Sequence, residues 1–315
     1  MPGPHRPTAV LLMAMGGPDT LENVEPYLQE VRGGRPTSPE LVHEIRERYR
    51  LTGGKSPVLD ITREVARRLE QQLNGLGDEW YCVSVGLRHW RPFIKEAYAE
   101  LMDESPERLI AICMAPQYST MSIGAYIKKV EEARAACGGD CPITFVKSWH
   151  RHPSLIAAIA QNVQRGLDLF PPDQRETIPV VFTAHSLPER IREMGDPYPD
   201  EVRGTMEAVC ELIHPPTARL AFQSQGRTNE PWIGPSIESV VDELAMAGHR
   251  NVLVAPIGFL CDHVEVSYDL DIELRQRALN LGLRLERIPM LNASPALVDT
   301  LASLVREHET VVVPS

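Results

Sequence analysis

The chain lacks the signals of the commonest chemistry found on alternating α/β scaffolds. It has no G-x-G-x-x-G and no G-x-x-x-x-G-K-[ST], so neither a dinucleotide fingerprint nor a phosphate loop is present. Gly53-Gly54-Lys55-Ser56 resembles the tail of a phosphate loop, but no strand is predicted before it and no upstream glycine fits. The G-x-S-x-G elbow of α/β hydrolases does not occur either. No run of 18 apolar residues exists, so no transmembrane helix is supported. The opening Met1-Pro-Gly-Pro-His-Arg-Pro-Thr8 lacks the apolar centre of a signal peptide, and a strand is predicted at once, so a cytoplasmic location is expected. Positive charge is in deficit: 32 Lys and Arg stand against 43 Asp and Glu, for a net charge of −11. That balance argues against a nucleic-acid footprint.

Cysteine is sparse and scattered, at positions 82, 113, 137, 141, 210 and 261. Cys137 and Cys141 make a lone C-x3-C with no second pair, whereas a structural zinc or iron–sulfur site takes about four ligands. Cys82 and Cys113 fall in predicted strands and read as small core residues.

What is present is a globular composition, 43% hydrophobic and 24% charged over 315 residues. That length suits two domains of about 150 residues each. Strands are predicted over Ala9–Met15, Tyr81–Gly86, Leu109–Met114, Ile143–Lys147, Pro179–Thr183, Arg219–Gln223, Asn251–Pro256 and Leu283–Arg287. Helical periodicity fills the gaps, over Ser56–Leu73, Pro92–Met102, Ser122–Ala136, Pro153–Leu169, Asp200–Ile213, Ser236–Ala247, Val264–Leu281 and Pro295–His308. Such alternation implies βαβ units and parallel sheets. The expected fold is α/β: two Rossmann-like domains, each a parallel sheet flanked by helices, around a central cleft. Strands one to three are expected to build the first half, and the run from Val180 to Pro256 the second sheet. The last helix is expected to cross back, so the domains are placed at 8–148 plus 288–315 and at 149–287. No short-period repeat and no low-complexity linker interrupts the chain.

The most informative stretch runs from Val252 to Glu273. Val252–Leu260 is a continuous apolar run of the kind buried on both faces of a parallel sheet. Beyond it Asp262, Glu265, Asp269 and Glu273 fall within an arc of about 80° at helical spacing. Val266, Leu270 and Leu274 line one side of that arc, and Val264, Tyr268 and Ile272 the other. Ser267, Asp271 and Arg275 take the opposite, wet face. Inward carboxylates repel and resist desolvation unless something positive joins them, which points to a cation path. A solvated charged face is the plain alternative.

Of ten histidines, only His185 and His263 close an apolar strand and precede a turn or helix. A residue at a strand's carboxyl end faces the ligand crevice of an open α/β sheet. Imidazole with carboxylates, and no thiolate set, suits a divalent metal bound loosely enough to leave again. The same pair can do acid–base work, because histidine titrates near neutrality. A structural histidine bonded to its loop is the other reading.

The residues at these points resemble a known family. Ala184-His185-Ser186-Leu187-Pro188-Glu189 with Gly195-Asp196-Pro197-Tyr198-Pro199, and Asp262-His263-Val264-Glu265-Val266-Ser267-Tyr268-Asp269, are similar to the signatures of ferrochelatases. Met15-Gly16-Gly17-Pro18, Gly53–Pro57, Ala115–Ser119, Gln223-Ser224-Gln225 and Pro231–Pro235 match in the family's order over nearly the whole chain. The resemblance implies insertion of ferrous iron into a porphyrin, with release of two pyrrole protons, by a lyase of heme biosynthesis. It carries the metal-site and proton-accepting roles onto His185 and Glu265. Asp269 and Glu273 become an acidic relay, and His263 a second histidine near the pocket. Substrate contacts are expected from Met15, Arg32, Arg35, Arg48, Lys55, Ser56, Tyr118, Ser119, Gln223, Ser224, Trp232 and His263.

Short bacterial members similar to the coproporphyrin type carry Tyr where this chain has Met15, as mitochondrial relatives do not. Members with a [2Fe–2S] cluster carry cysteines near the C-terminus; this chain has none after Cys261, so no cluster and no separate cofactor are expected. The stretches Gly226–Glu230 and Gly195–Asp200 resemble coproporphyrin-type enzymes, and the four basic residues named would suit that tetracarboxylate. Coproporphyrin III is therefore the expected substrate and a monomer the expected state. Protoporphyrin IX, a cobalt or nickel chelatase, and a non-catalytic tetrapyrrole or metal carrier are the alternatives.

Overall fold

A computed structural model of the chain describes residues 6–75, 77, 79–226 and 228–309. The start of the chain through His5, and Arg227, lie outside the described residues. The chain divides into two compact units: one runs to Trp149 and resumes at Asn292, and the other spans His150–Leu291.

In the first unit, β1 (Thr8–Ala14), β2 (Tyr81–Leu87), β3 (Arg108–Cys113) and β4 (Ile143–Val146) form a parallel sheet in the order β2-β1-β3-β4. The sheet thus has a fourth strand beyond the three expected to build the first half. Ala9 through Met13 and Leu109 through Cys113 are sealed from solvent, which is why both strands read as unbroken apolar runs. The helices are α1 (Val24–Val31), α2 (Pro39–Leu51), α3 (Val58–Asn74), α4 (Ile94–Asp103) and α5 (Ile123–Cys137). Helix α3 buries Val58, Thr62, Val65, Ala66, Leu69 and Leu73, one stripe at spacings of three and four. The C-terminal helix Pro295–Glu309 returns to this unit. Gln72 donates from Nε2 to Asp299 Oδ1 at 2.9 Å, and Arg68 from Nη1 to the Ala293 carbonyl at 2.7 Å.

The second unit repeats the plan. Strands β5 (Pro179–His185), β6 (Thr217–Gln223), β7 (Asn251–Pro256) and β8 (Arg284–Arg287) are parallel in the order β6-β5-β7-β8. Helices α6 (Pro153–Leu167), α7 (Arg190–Glu193), α8 (Tyr198–Ile213) and α9 (Ile237–Met246) connect them. In both sheets the chain leaves its first strand to one side and later returns to the other. The crevice at such a switch point lies at the carboxyl ends of the two central strands. Here those strands are β5, which ends at His185, and β7, which feeds residues 257–265.

The segment after β7 is not the single helix expected over Val264–Leu281. It is a one-turn helix α10 (Val264–Ser267), a π-helical turn Asp269–Leu274, and a short α11 (Arg275–Asn280). Glu273 donates its backbone N–H to Tyr268, five residues back, at 2.9 Å. Such a π turn inserts one residue into the helical ladder and re-aims every side chain beyond it. Among the described residues no helix is long and apolar enough to cross a membrane.

Candidate metal and proton-transfer site

Strand β5 is buried up to its last residue, where His185 emerges half-buried. Its ring is oriented from one side: Nδ1 lies against the Ser186 carbonyl, which leaves Nε2 facing Glu265. The Tyr198 hydroxyl donates to the His185 carbonyl at 2.8 Å and fixes the backbone. Ser186 donates to the Ile233 carbonyl at 2.7 Å, and Pro188 pairs with Trp232, so the loop after His185 is laced to residues 231–233. Gly258 closes the other side. A Cβ there would stand 2.5 Å from Ala184 Cβ, so only glycine lets the loop after β7 pass so near the end of β5.

Glu265 lies in the first turn of α10, with Oε1 3.7 Å from His185 Nε2. Its other oxygen, Oε2, is 3.4 Å from His263 Nε2, and His263 Nδ1 bonds the Cys261 carbonyl at 3.1 Å. Each histidine thus uses Nδ1 on a backbone carbonyl and points Nε2 at the same carboxylate. Phe259 fills the space between the rings, 6.5 Å from His185 and 4.6 Å from His263 by centroids. His185 and Glu265 keep 31% and 28% of their side-chain surface exposed, so an ion can reach both.

The pair is strongly polarised. Burial opposes charge on His185, yet the facing Glu265 carboxylate overrides it and raises the ring's pKa above the ordinary value. Burial likewise opposes charge on Glu265, but His185, with His263, holds its pKa far below the usual carboxylate range. A neutral imidazole and a carboxylate 3.7 Å apart can bind one divalent ion, because the gap is shorter than two ligand bonds of about 2.1 Å laid end to end. The same pair accepts and passes protons. Cys261 offers no thiolate here: burial pushes its thiol up to about 12.

Two polar residues at the end of β6 complete the cluster. Gln223, sealed from solvent, donates from Nε2 to the Glu265 carbonyl at 2.7 Å. Ser224 donates its hydroxyl to Asp269 Oδ2 at 2.5 Å. The structure therefore brings together His185, Gln223, Ser224, His263, Glu265 and Asp269. Among the described residues no group of three or more histidine, cysteine, aspartate or glutamate side chains is arranged to hold a metal ion.

Several expectations need correction. Of the two apolar stripes, only Val266, Leu270 and Leu274 enter this unit's core; Val264 and Tyr268 are half-buried and Ile272 is exposed. Glu273 is exposed and not inward. Asp262 leaves the acidic arc, and Asp271 leaves the expected wet face, because both bind Arg287. The physical reasons are two: Asp262 precedes α10 and is not helical, and a constant helical angle does not apply through the π turn that holds Asp271 and Glu273. Trp232 donates its Nε1 to Thr228 Oγ1 at 2.9 Å and lies against Gly226, so it braces its own loop.

The remaining expected contacts lie in the first unit. Met15 follows β1 and is 43% exposed. Tyr118 is half-buried after β3, and Ser119 is sealed. Ser56 is buried, with its N–H on the Pro18 carbonyl at 2.7 Å. Arg32 and Arg35 are exposed near the end of α1, while Arg48 pairs with Glu44 at 3.1 Å and Lys55 with Asp60 at 2.6 Å. Only Arg48 of these four lies within a helix. Sequence reasoning missed Phe259 and Arg287 and gave Tyr198 no role. Tyr198 was the findable one, since it sits inside a quoted motif.

Comparison with known proteins gives one answer. The Ferrochelatase family profile matches residues 7–309. A protein named ferrochelatase from Herpetosiphon aurantiacus is 41% identical over 298 residues, covering 95% of this chain and 98% of its own. A protein named coproporphyrin III ferrochelatase from Bacillus subtilis is 36% identical, covering 94% and 96%. Among solved structures, SirB from Bacillus subtilis with Fe3+ aligns over 96% of both chains with a TM-score of 0.60 at 11% identity. That last likeness concerns the fold.

Proposed function

The chain belongs to the ferrochelatase family, a family of lyases that insert iron into a porphyrin, and from that premise we propose that its substrate is coproporphyrin III and its product coproheme. The observation that supports this choice is the near-full-length identity of 36% to relatives named for coproporphyrin III. A substrate with four carboxylates wants arginine or lysine partners. Arg32 and Arg35 are the first choice, since Arg48 and Lys55 are already paired with Glu44 and Asp60.

The chemistry follows from the site. Ferrous iron enters and two pyrrole protons leave, so charge balances. His185 Nε2 and Glu265 hold the ion and take the protons. Asp269, tied to Ser224, and exposed Glu273 extend an acidic path from solvent to Glu265. Weak oxygen and nitrogen ligands release the ion to the macrocycle, which binds it irreversibly by comparison. In this reading the enzyme works as a cytoplasmic monomer and needs neither a resident cofactor nor an iron–sulfur cluster.

Anaerobic turnover with ferrous iron, offering coproporphyrin III and protoporphyrin IX side by side, tests the reading. We expect the higher kcat/KM with coproporphyrin III. A higher value for protoporphyrin IX reverses the substrate assignment. Turnover with cobalt or nickel but not iron reverses the metal, and porphyrin binding without any insertion makes the protein a carrier.

A further inference from the structure

Arg287, the last residue of β8, makes a fork that no part of the reaction so far explains. Its Nε and Nη2 each lie 2.8 Å from the two carboxylate oxygens of Asp271. Nη2 also reaches Asp262 Oδ1 at 3.2 Å, and Nη1 donates to the Ile288 carbonyl at 3.0 Å. The side chain is only 13% exposed. Its backbone is fixed in turn by the parallel pairing of Arg287 with Val254 in β7.

The two carboxylates have telling positions. Asp262 lies in the turn just before α10, and Asp271 lies in the middle of the π turn. Between them run His263, Glu265 and Asp269, three members of the candidate site. One guanidinium thus pins both ends of the segment that carries them, and joins both to the sheet. A π turn closes its ladder bonds over five residues where an α-helix closes them over four, and it is rare, so its surroundings must favour it over α geometry. Reversion would rotate residues beyond it by about 100°. Glu265 precedes the turn and would keep its place; Glu273 would not.

The geometry points to Arg287 as a positioning residue that holds the π turn and so fixes the segment that carries His263, Glu265 and Asp269. This rests on reading Asp269 and Glu273 as the route of the iron. Lysine cannot replace it, because a single ammonium does not fork across two carboxylates. Supporting groups of this kind are typically worth tenfold to a hundredfold in metal affinity.

The test uses Arg287→Lys and Asp271→Asn in the full chain, the second retaining the fold should the first not. We expect KM for ferrous iron to rise at least about tenfold, with kcat and porphyrin affinity nearly unchanged, and faster amide hydrogen exchange confined to Tyr268–Leu274. The exchange readout is independent of turnover, so a wrong route for iron is separable from a wrong clamp. Faster exchange with an unchanged iron KM would mean the clamp exists but the path lies elsewhere. Unchanged exchange, full activity in Arg287→Lys, or a parallel loss of iron KM, kcat and porphyrin affinity would overturn the assignment.

Discussion

Gln223 at the end of β6 donates its side-chain amide to the backbone carbonyl of Glu265 at 2.7 Å, so a residue on one strand sets the position of the carboxylate that faces a histidine on the next. Gln223 is sealed and Glu265 is not. Losing a buried bond of this kind leaves a carbonyl without its donor, at a cost of about 1–3 kcal/mol. The site is therefore built by three strand ends, β5, β6 and β7, and the chemistry depends on how well they stay in register.

His185→Ala removes the ligand and proton acceptor without touching the first unit. Iron insertion should fall by at least about a hundredfold, the order expected for losing a general base, while porphyrin affinity stays within a few-fold. Separate measurement of porphyrin fluorescence quenching and iron incorporation checks this. Near-normal turnover would return His185 to a structural role.

Glu265→Gln should depress kcat, whereas Asp269→Asn and Glu273→Gln should raise the iron KM. The distinction follows from position: Glu265 faces His185 at 3.7 Å, and the other two lie further along the segment. The same kinetic defect in all three, or none, would remove the ordered path.

Iron binding needs His185 without its proton, so insertion should rise with pH through a midpoint above the ordinary histidine value of 6.5. In Glu265→Gln the carboxylate that raises the value is gone and burial remains, so the His185 ring should titrate at lower pH than in the wild type. Ring NMR reads that shift directly. Stability follows the same pair. The His185 contribution is complete below 6.5 and is lost as pH rises through its raised value; the Glu265 contribution is present above 4.5 and is lost as pH falls through its lowered value. The pair should stabilise the unit most between those two ordinary values, and thermal melts across pH in wild type and Glu265→Gln would expose a failure of this account.

Gly258→Ala places a methyl 2.5 Å from Ala184 Cβ and 2.8 Å from its Cα. Overpacking of this kind costs about 1–3 kcal/mol. Because the clash lies next to His185, activity should fall along with stability. Denaturant titration and turnover on the same preparation check both, and a fully stable, fully active variant would mean the loop gives way freely.

Much of this was legible from residue order. The central strands β1, β3, β5 and β7 announce themselves as apolar runs, because a parallel sheet covered on both faces buries nearly every residue of its inner strands. His185 could be placed at a strand end, and Glu265 after one, for the same reason. The early helices α1 and α2 were left without boundaries. Helix α2 carries many charges and buries only Val42 and Tyr49, too few to show a period. Asp262 and Asp271 were misplaced because a helical angle was extended through a segment that does not keep one.

The sequence by itself determined that there are two α/β units, which strand ends carry histidine and carboxylate, and which family's motifs they match. Only the tertiary structure decided which acids face the site. That choice turns on contacts between residues far apart in the chain: Arg287 with Asp262 and Asp271, Ser224 with Asp269, and Gln223 with Glu265. Burial is written into a strand or helix as a local period. The capture of a carboxylate by a guanidinium 16 or 25 residues away leaves no period to read.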